Sequence, residues 1–176
     1  LFRTDGNVLV GAPTGSGKTC LAELAIFRLL RRRGEEKLKA VYVAPLKALA
    51  RERVRDWTPK FRAIGLSVEE LTGDATPDQR ALKKADVLIT TPEKWDGVTR
   101  QFQRRDYARH AALMILDEVH LLGEDRGPVL EALVSRARYT STTRVVALST
   151  ALANAHDLGK WLGCSREHVF NFRASV

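Results

Sequence analysis

Short apolar runs alternate along this chain with longer segments in which apolar and polar residues recur at helical spacing. Continuous apolar runs predict strands that are covered on both faces, and the longer segments predict helices. Their alternation favours an α/β fold in which helices lie on both faces of a mostly parallel sheet. The predicted strands are Asn7–Gly11, Ala40–Ala44, Ser67–Leu71, Asp86–Thr90, Ala112–Leu116, Arg144–Ser149 and His168–Phe172.

The helical segments carry recognisable start signals. The first runs from about Lys18 to Arg33 and is nearly all apolar between Cys20 and Leu30, which predicts a buried helix with Cys20 as inert packing. The segments Thr76–Asp78 and Thr91–Glu93 each predict a helix start, with threonine as the cap and proline in the first turn. The remaining predicted helices are Leu46–Phe61, Pro128–Tyr139 and Asn154–Leu162.

Length and composition narrow the class of protein. A chain of 176 residues with 44% apolar residues predicts one globular domain, residues 1–176, and excludes intrinsic disorder. Two distant cysteines exclude a disulfide scaffold, and we expect an intracellular protein with no leader peptide and no membrane span. The net charge of +8 fits either a nucleic-acid partner or simply a solvated basic surface. Trp57, Trp95 and Trp161 are predicted to pack in or beside the core rather than to stack on bases.

A phosphate-binding loop follows the first predicted strand. The segment Ala12–Thr19 reads A-P-T-G-S-G-K-T and opens the first helix, which is the context such a loop requires, although alanine stands where the strict pattern has glycine. Backbone amides of the loop and the helix N-terminus would hold phosphate oxygens of a nucleotide, Lys18 would contact the β- and γ-phosphates, and Thr19 would bind Mg²⁺. The predicted nucleotide ligands are Pro13, Thr14, Gly15, Ser16, Gly17, Lys18 and Thr19.

A second motif, D-E-V-H, follows the apolar strand Ala112–Leu116. Asp117 is predicted to bind Mg²⁺ beside the phosphate loop, and Glu118 to accept a proton from the attacking water. His120 is predicted either to sense the γ-phosphate or to link this motif to another one. Together with Lys18, these are the predicted catalytic residues.

The order of motifs resembles the first RecA-like domain of superfamily 2 helicases, in the Ski2-like branch. It runs from A-P-T-G-S-G-K-T through A-P-L-K-A-L-A-R-E-R, T-G-D and T-T-P-E-K-W-D to the DEVH box and a Ser-Thr strand end. The stretches 93–100, 120–131 and 148–158 are most similar to the second cassette of large two-cassette members, with a spliceosomal RNA helicase of the branch as the alternative. The likeness covers essentially the whole chain.

The resemblance implies a set of nucleic-acid contacts at strand ends. Such residues grip phosphate and sugar without reading bases, so they leave DNA and RNA equally open. Ser149 and Thr150 fall where the family couples hydrolysis to strand movement, but Ser-Thr-Ala stands here in place of the common Ser-Ala-Thr. The implied nucleic-acid ligands are Pro45, Leu46, Lys47, Arg51, Thr72, Gly73, Thr91, Pro92, Glu93 and Lys94.

The same resemblance implies an ATP-dependent 3′–5′ helicase whose nucleotide lies between two RecA-like domains. We therefore expect a larger multi-domain helicase, within a multi-protein complex of the nucleus and cytoplasm, acting in DNA alkylation repair and ribosome quality control. Without the second domain and its arginines, hydrolysis by this chain alone is expected to be very slow. Two alternatives stay open: a P-loop ATPase that ignores nucleic acid, and a cassette that binds nucleotide, hydrolyses it poorly and serves as a protein dock.

Overall fold

The computed structural model describes residues 4–32, 38–101, 105–121, 127–140 and 143–172. Its strands are β1 (Val8–Gly11), β2 (Lys39–Val43), β3 (Val68–Leu71), β4 (Val87–Thr90), β5 (Ala111–Leu116), β6 (Arg144–Ser149) and β7 (Val169–Asn171). They form one sheet in the order β3-β4-β2-β5-β6-β1-β7, and every pairing is parallel. The predicted α/β class and parallel sheet are confirmed.

Seven α-helices connect the strands in the described part of the chain. They are α1 (Lys18–Arg32), α2 (Lys47–Arg62), α3 (Gln79–Lys84), α4 (Pro92–Thr99), α5 (Asp106–Arg109), α6 (Gly127–Thr140) and α7 (Ala155–Leu162). The one-turn helix α5 was not predicted, because four residues are too few to show a helical period. Arg33, the predicted last residue of the first helix, lies outside the described residues. Within the described ranges, no helix is long and apolar enough to cross a membrane.

The sheet separates two apolar layers. Alternate strand residues enter opposite layers, as the period of two requires: Val41 and Val43 face one layer, while Ala40 and Tyr42 face the other. The Tyr42 layer is covered by α1 and α2, and the other layer by the helices from α3 to α7. Burial on both sides explains why the five inner strands are short and mostly apolar, whereas β3 and β7, at the two ends of the sheet, are only partly buried.

The first helix differs from its prediction. Ala22, Ala25 and Ile26 are buried, but Leu24 and Cys20 are exposed, so only one face packs on the sheet. The prediction of Cys20 as inert core packing was therefore wrong. The apolar residues of α1 outnumber the positions that face the sheet, and the surplus remains on the surface. Cys164 is the more buried cysteine, and burial raises the pKa of its thiol to about 11.

The start of α3 also differs from its prediction. Asp78, not Thr76, caps the helix, because its carboxylate accepts a hydrogen bond of 2.7 Å from the Ala81 amide. The Thr76 hydroxyl lies too early for that amide and instead accepts from the Lys94 ammonium at 2.8 Å. Thr91 does occupy the position before α4, but its side chain makes no capping hydrogen bond.

Gly11, at the end of β1, has no room for a side chain. A Cβ there would lie 2.5 Å from Asn171 Oδ1, and Leu152 holds that amide with hydrogen bonds of 3.0 and 2.7 Å. Gly11→Ala is expected to lower the free energy of unfolding by about 1–3 kcal/mol through overpacking. Denaturant unfolding measures this loss.

The matched control for Gly11→Ala is Gly97→Ala. Gly97 lies in α4, with nothing within 4 Å of the added carbon. This change should raise the free energy of unfolding by about 0.5–1 kcal/mol, because alanine is the better helix former. Equal effects at the two positions would contradict the steric argument.

Candidate functional site

The polar motifs lie at one edge of the sheet, where the carboxyl ends of the parallel strands meet. The strand order sorts them into two groups. The phosphate loop follows β1, the D-E-V-H motif follows β5, and Ser149 is the last residue of β6, which lies between those two strands. The cationic and threonine-containing motifs follow β2, β3 and β4, which are adjacent strands. The two groups meet where β2 pairs with β5.

The loop after β1 forms an open cradle. Gly15 and Gly17 have φ values of 79° and 85°, a left-handed conformation that favours glycine, and no atom lies within 4 Å of a Cβ built on either. Lys18 is largely buried, and its ammonium donates to the carbonyls of Ala12 and Pro13 at 2.9 and 3.2 Å. The methyl group of Ala12 packs in the core, so alanine fits where the strict pattern has glycine.

The D-E-V-H motif places two carboxylates differently. Asp117 Oδ1 accepts from the Glu118 amide at 3.0 Å, and its Oδ2 accepts from the Tyr42 hydroxyl. Glu118 has φ 46°, and among the described residues it is the only residue other than glycine with positive φ. Backbone strain of this kind is concentrated at functional sites. Glu118 Oε2 is buried without a hydrogen-bond partner, so it is free to accept a proton or a hydrogen bond.

His120 connects the D-E-V-H motif to the end of β6. Its Nδ1 accepts from the Thr150 amide at 3.2 Å and lies 3.3 Å from Ser149 Oγ. Glu118 Oε2 lies 3.4 Å from this nitrogen, and the two atoms form no hydrogen bond. The link uses the backbone amide of Thr150 and the hydroxyl of Ser149. The unusual Ser-Thr-Ala order therefore leaves it intact.

These groups fit a magnesium–nucleotide ligand. The open glycine loop has room for phosphate oxygens, and Glu118 Oε2, which has no hydrogen-bond partner, can accept a hydrogen bond from a water molecule. Magnesium typically takes one or two protein oxygens and completes its shell with phosphates and water, so Asp117 and Thr19 suffice on the protein side. In the described part of the chain, no group of three or more His, Cys, Asp or Glu residues is arranged so that it could hold a metal ion by itself.

The second group of motifs forms a cationic face centred on Asp74. The Lys47 ammonium and the Arg51 guanidinium contact opposite oxygens of this carboxylate at 2.8 and 2.6 Å. The hydrogen bond from Lys47 and its charge hold the pKa of the Asp74 carboxyl below its usual value. Both cations remain about half exposed, at 52% and 56% of their side-chain surface, so an anionic polymer can reach them.

The remaining residues of the cationic face are partly structural. Thr72 and Thr91 are buried, and the Thr72 hydroxyl donates to Glu70 at 2.7 Å. Lys94 contacts Thr76, which brings the starts of α3 and α4 together. Among the other predicted ligands, Pro45 and Pro92 are buried, Lys94 is partly exposed, and Leu46, Gly73 and Glu93 are exposed.

Two residues of the site were missed by sequence reasoning. Asp74 is the acid that orders Lys47 and Arg51, and the quoted T-G-D motif contained it as the only signal. Tyr42 is the residue whose hydroxyl holds Asp117. Its signal was a polar atom inside an otherwise apolar run. Burial, and then the adjacent Asp117, raise the pKa of Tyr42 far above its usual value, so the hydroxyl remains a donor at neutral pH.

Comparison with known proteins confirms the resemblance seen in the motifs. The family model for DEAD/DEAH box helicases matches residues 1–158. Over its full length the chain is 58% and 56% identical to activating signal cointegrator 1 complex subunit 3 of Danio rerio and Homo sapiens, and it covers 12% and 8% of those proteins. It is 49% identical to the DExH-box ATP-dependent RNA helicase DExH12 of Arabidopsis thaliana, of which it also covers 8%. The chain thus spans about a tenth of the length of these relatives.

A solved structure supports the same architecture. The crystal structure of the DUF1998 helicase MrfA bound to DNA superposes with a TM-score of 0.76 at 21% identity, over 89% of this chain and 24% of that one. At this identity the likeness shows the fold alone. It confirms the fold, a parallel sheet with helices on both faces.

Proposed function

This chain belongs to the DEAD/DEAH box helicase family, and on that premise we propose that it is the ATP-binding motor domain of a 3′–5′ nucleic-acid helicase. The observation that carries the proposal is the order of the strands. The phosphate loop, the D-E-V-H motif and Ser149 lie at the ends of β1, β5 and β6, and the cationic face lies beside them, after the ends of β2, β3 and β4, which supports the proposal. A motor needs nucleotide hydrolysis and nucleic-acid binding at adjacent sites, so that hydrolysis at one site can move the nucleic acid bound at the other.

On the nucleotide side, each residue has a role that its geometry supports. The amides of the loop Pro13–Thr19 would hold phosphate oxygens, and Lys18 would exchange its two carbonyl partners for phosphate. Asp117 and Thr19 would hold Mg²⁺, which supplies charge neutralisation at the phosphates. Glu118 would accept the proton of the attacking water through its unpartnered Oε2. His120 would couple changes at this site to the end of β6 through its contacts with Ser149 and Thr150.

On the nucleic-acid side, the half-exposed cations Lys47 and Arg51 would bind backbone phosphates of a single strand. Lys94 and the loop at Thr72–Gly73 would add contacts to phosphate or sugar. Because these groups read no bases, the proposal includes DNA and RNA alike. MrfA is bound to DNA in its crystal structure, and DExH12 is named as an RNA helicase.

We extend the proposal to the cellular setting of the whole protein. A second RecA-like domain would complete the site with its arginines, and closure of the two domains would move the strand and unwind a duplex. The relatives from Danio rerio and Homo sapiens are named as subunits of a complex, which supports a multi-protein assembly. We propose nuclear and cytoplasmic roles in alkylation repair and in ribosome quality control, with a spliceosomal RNA helicase as the alternative.

The decisive experiment measures ATP hydrolysis by the full-length protein with and without single-stranded DNA or RNA. Stimulation by single-stranded nucleic acid identifies a motor. A rate that does not depend on nucleic acid favours a simple ATPase, and ATP binding without hydrolysis favours a docking module.

Lys47→Ala should weaken the binding of single-stranded nucleic acid of any sequence, because it removes a phosphate contact. It should also lower the slope of log affinity against log salt concentration by about one unit or slightly less.

Lys83→Ala is the matched control for Lys47→Ala. Lys83 is 54% exposed and contacts Asp106 at 3.4 Å, much as Lys47 contacts Asp74, but it precedes β4 rather than following a strand. It therefore lies at the amino end of the sheet and should leave strand binding unchanged. An equal loss in both variants would mean that the general basic charge, and not this face, attracts the nucleic acid.

A further inference from the structure

A continuous set of side-chain contacts connects the two groups of motifs across the pairing of β2 with β5. It starts at Tyr42 on β2, which is 1% exposed and donates its hydroxyl hydrogen to Asp117 beyond the end of β5. The other Asp117 oxygen accepts from the Glu118 amide. Both oxygens are thereby oriented, and each retains lone pairs for a cation or its water. The orientation of the carboxylate therefore depends on a residue of the neighbouring strand.

The next contact leads from Tyr42 to helix α2. The guanidinium carbon of Arg53 lies 5.8 Å from the centre of the Tyr42 ring and 5.4 Å from that of Trp57, within cation–π range. Its Nε is buried with no hydrogen-bond partner in the described part of the structure. Arg53 is held by the two rings and by an ion pair of 3.4 Å from its Nη1 to Asp56 on the same helix, so a shift of α2 would move this charge relative to the Tyr42 ring. Lys47 and Arg51 lie on the first two turns of the same helix.

Trp57 ties this helix to the helix of the phosphate loop. Its Nε1 donates to Glu23 on α1 at 2.8 Å, and its ring packs edge-on against Tyr42 with centroids 4.9 Å apart. Helix α1 begins at Lys18, within the phosphate-loop segment Ala12–Thr19. Through these contacts Trp57 fixes the position of α2 relative to α1 and β2, and with it the position of Arg53 relative to Tyr42.

We propose that Tyr42 is a positioning residue for Asp117 and that Arg53 links Tyr42 to α2. Binding of single-stranded nucleic acid at Lys47 and Arg51 would then change the orientation of the Asp117 carboxylate. The inference deepens the proposed function and rests on it. Physically, a phosphate that draws Lys47 and Arg51 away from Asp74 changes the forces on the start of α2. Arg53 transmits this change to the Tyr42 ring, whose hydroxyl sets the orientation of Asp117.

The first test is Tyr42→Phe in the full-length protein, which removes one oxygen and keeps the ring. Its readout is the Mg²⁺ dependence of binding of a fluorescent, non-hydrolysable ATP analogue. The Mg²⁺ concentration at half-maximal binding should rise by about 10–100-fold, the usual effect of losing a group that orients a metal ligand. Unchanged Mg²⁺ dependence would overturn the positioning role.

Tyr107→Phe is the matched control for Tyr42→Phe. Tyr107 is also buried, at 4% exposure, and its hydroxyl accepts from Arg105 at 2.9 Å, but it precedes β5 and so lies at the opposite end of the sheet. Removing its oxygen should leave the Mg²⁺ dependence at the wild-type value. A matching shift would show a general loss of stability and would also overturn the proposal, and thermal melting of both variants records that loss directly.

The second test is Arg53→Lys, which keeps the charge but removes the planar group that lies over the rings. Its readout is the affinity for a single-stranded oligonucleotide with and without the ATP analogue. The ratio of the two affinities measures the coupling, typically about 5–150-fold, and it should fall towards one in this variant. Arg55→Lys, at an exposed position of α2, should keep the wild-type ratio.

The two proposals fail in different ways. If the wild-type protein shows no coupling between nucleotide and strand, the proposed motor function fails and takes the Arg53 link with it, while the Mg²⁺ test still decides the role of Tyr42. If the wild type is coupled and Arg53→Lys is equally coupled, the motor function stands and the Arg53 link is overturned.

Discussion

Replacing Glu118 with glutamine is expected to lower ATP hydrolysis by about a hundred- to ten-thousand-fold, the usual contribution of a general base. The amide keeps the size of the carboxylate but cannot accept the proton of the attacking water. Glu118 Oε2 is the buried oxygen without a partner, and His120 accepts from Thr150 rather than serving that oxygen. Binding of ATP should be nearly unchanged, because the phosphate contacts lie in the loop after β1.

The measurement is strand-stimulated ATP hydrolysis by the full-length protein, with affinity for a non-hydrolysable ATP analogue as the second readout. Glu131→Gln is the control, since Glu131 is an exposed carboxylate on α6. It should hydrolyse ATP like the wild type. If Glu118→Gln retains the wild-type rate, another group takes the proton and the assignment of Glu118 fails. If it loses ATP binding as well, the residue orders the site rather than serving as a base.

Trp57→Ala is expected to lower the free energy of unfolding by about 3–5 kcal/mol, the usual cost of removing a large buried aromatic side chain. Trp57 is fully buried, stacks on Phe61 with centroids 5.2 Å apart, and packs edge-on against Tyr42. Its removal opens a cavity between α2 and the sheet. A domain has only about 5–15 kcal/mol of stability in total, so the loss is a large part of it.

Denaturant unfolding of the wild type and two variants checks this prediction. Trp161→Ala is the matched control, because Trp161 is only partly buried at the edge of the other apolar layer and should cost less. Trp57→Phe retains most of the apolar contact and removes the hydrogen bond to Glu23, so its loss should be intermediate. Equal losses for the two alanine variants would contradict the view that Trp57 is the central support of this layer.

The strands could be predicted from the sequence, because a parallel strand buried on both faces must be short and apolar. The prediction for β6 matches the structure at both ends, and that for β4 differs by one residue at its start. Predictions at helix termini were weaker. Asp78 caps α3 in place of Thr76, and Cys20 is exposed rather than buried. Both errors concern which face or which atom is used, and that choice depends on the neighbouring elements.

The sequence alone also determined the chemistry available at the nucleotide side. The loop Ala12–Thr19 is a single contiguous segment, so the local backbone is sufficient to form its cradle. Asp117 and Glu118 likewise follow directly from the end of β5. The placement of both motifs at the same edge required only that the strands be parallel.

Only the tertiary structure decided which distant side chains meet. The pairs Tyr42 with Asp117, Trp57 with Glu23, and Lys47 with Asp74 are separated by 75, 34 and 27 residues. Each pair depends on the strand order β3-β4-β2-β5 or on the way α1 and α2 share one face of the sheet. Periodicity reports which face of its own element a residue occupies, but not which element lies opposite. The candidate catalytic groups could therefore be predicted from the sequence, whereas the contacts that orient and connect them depend on tertiary packing.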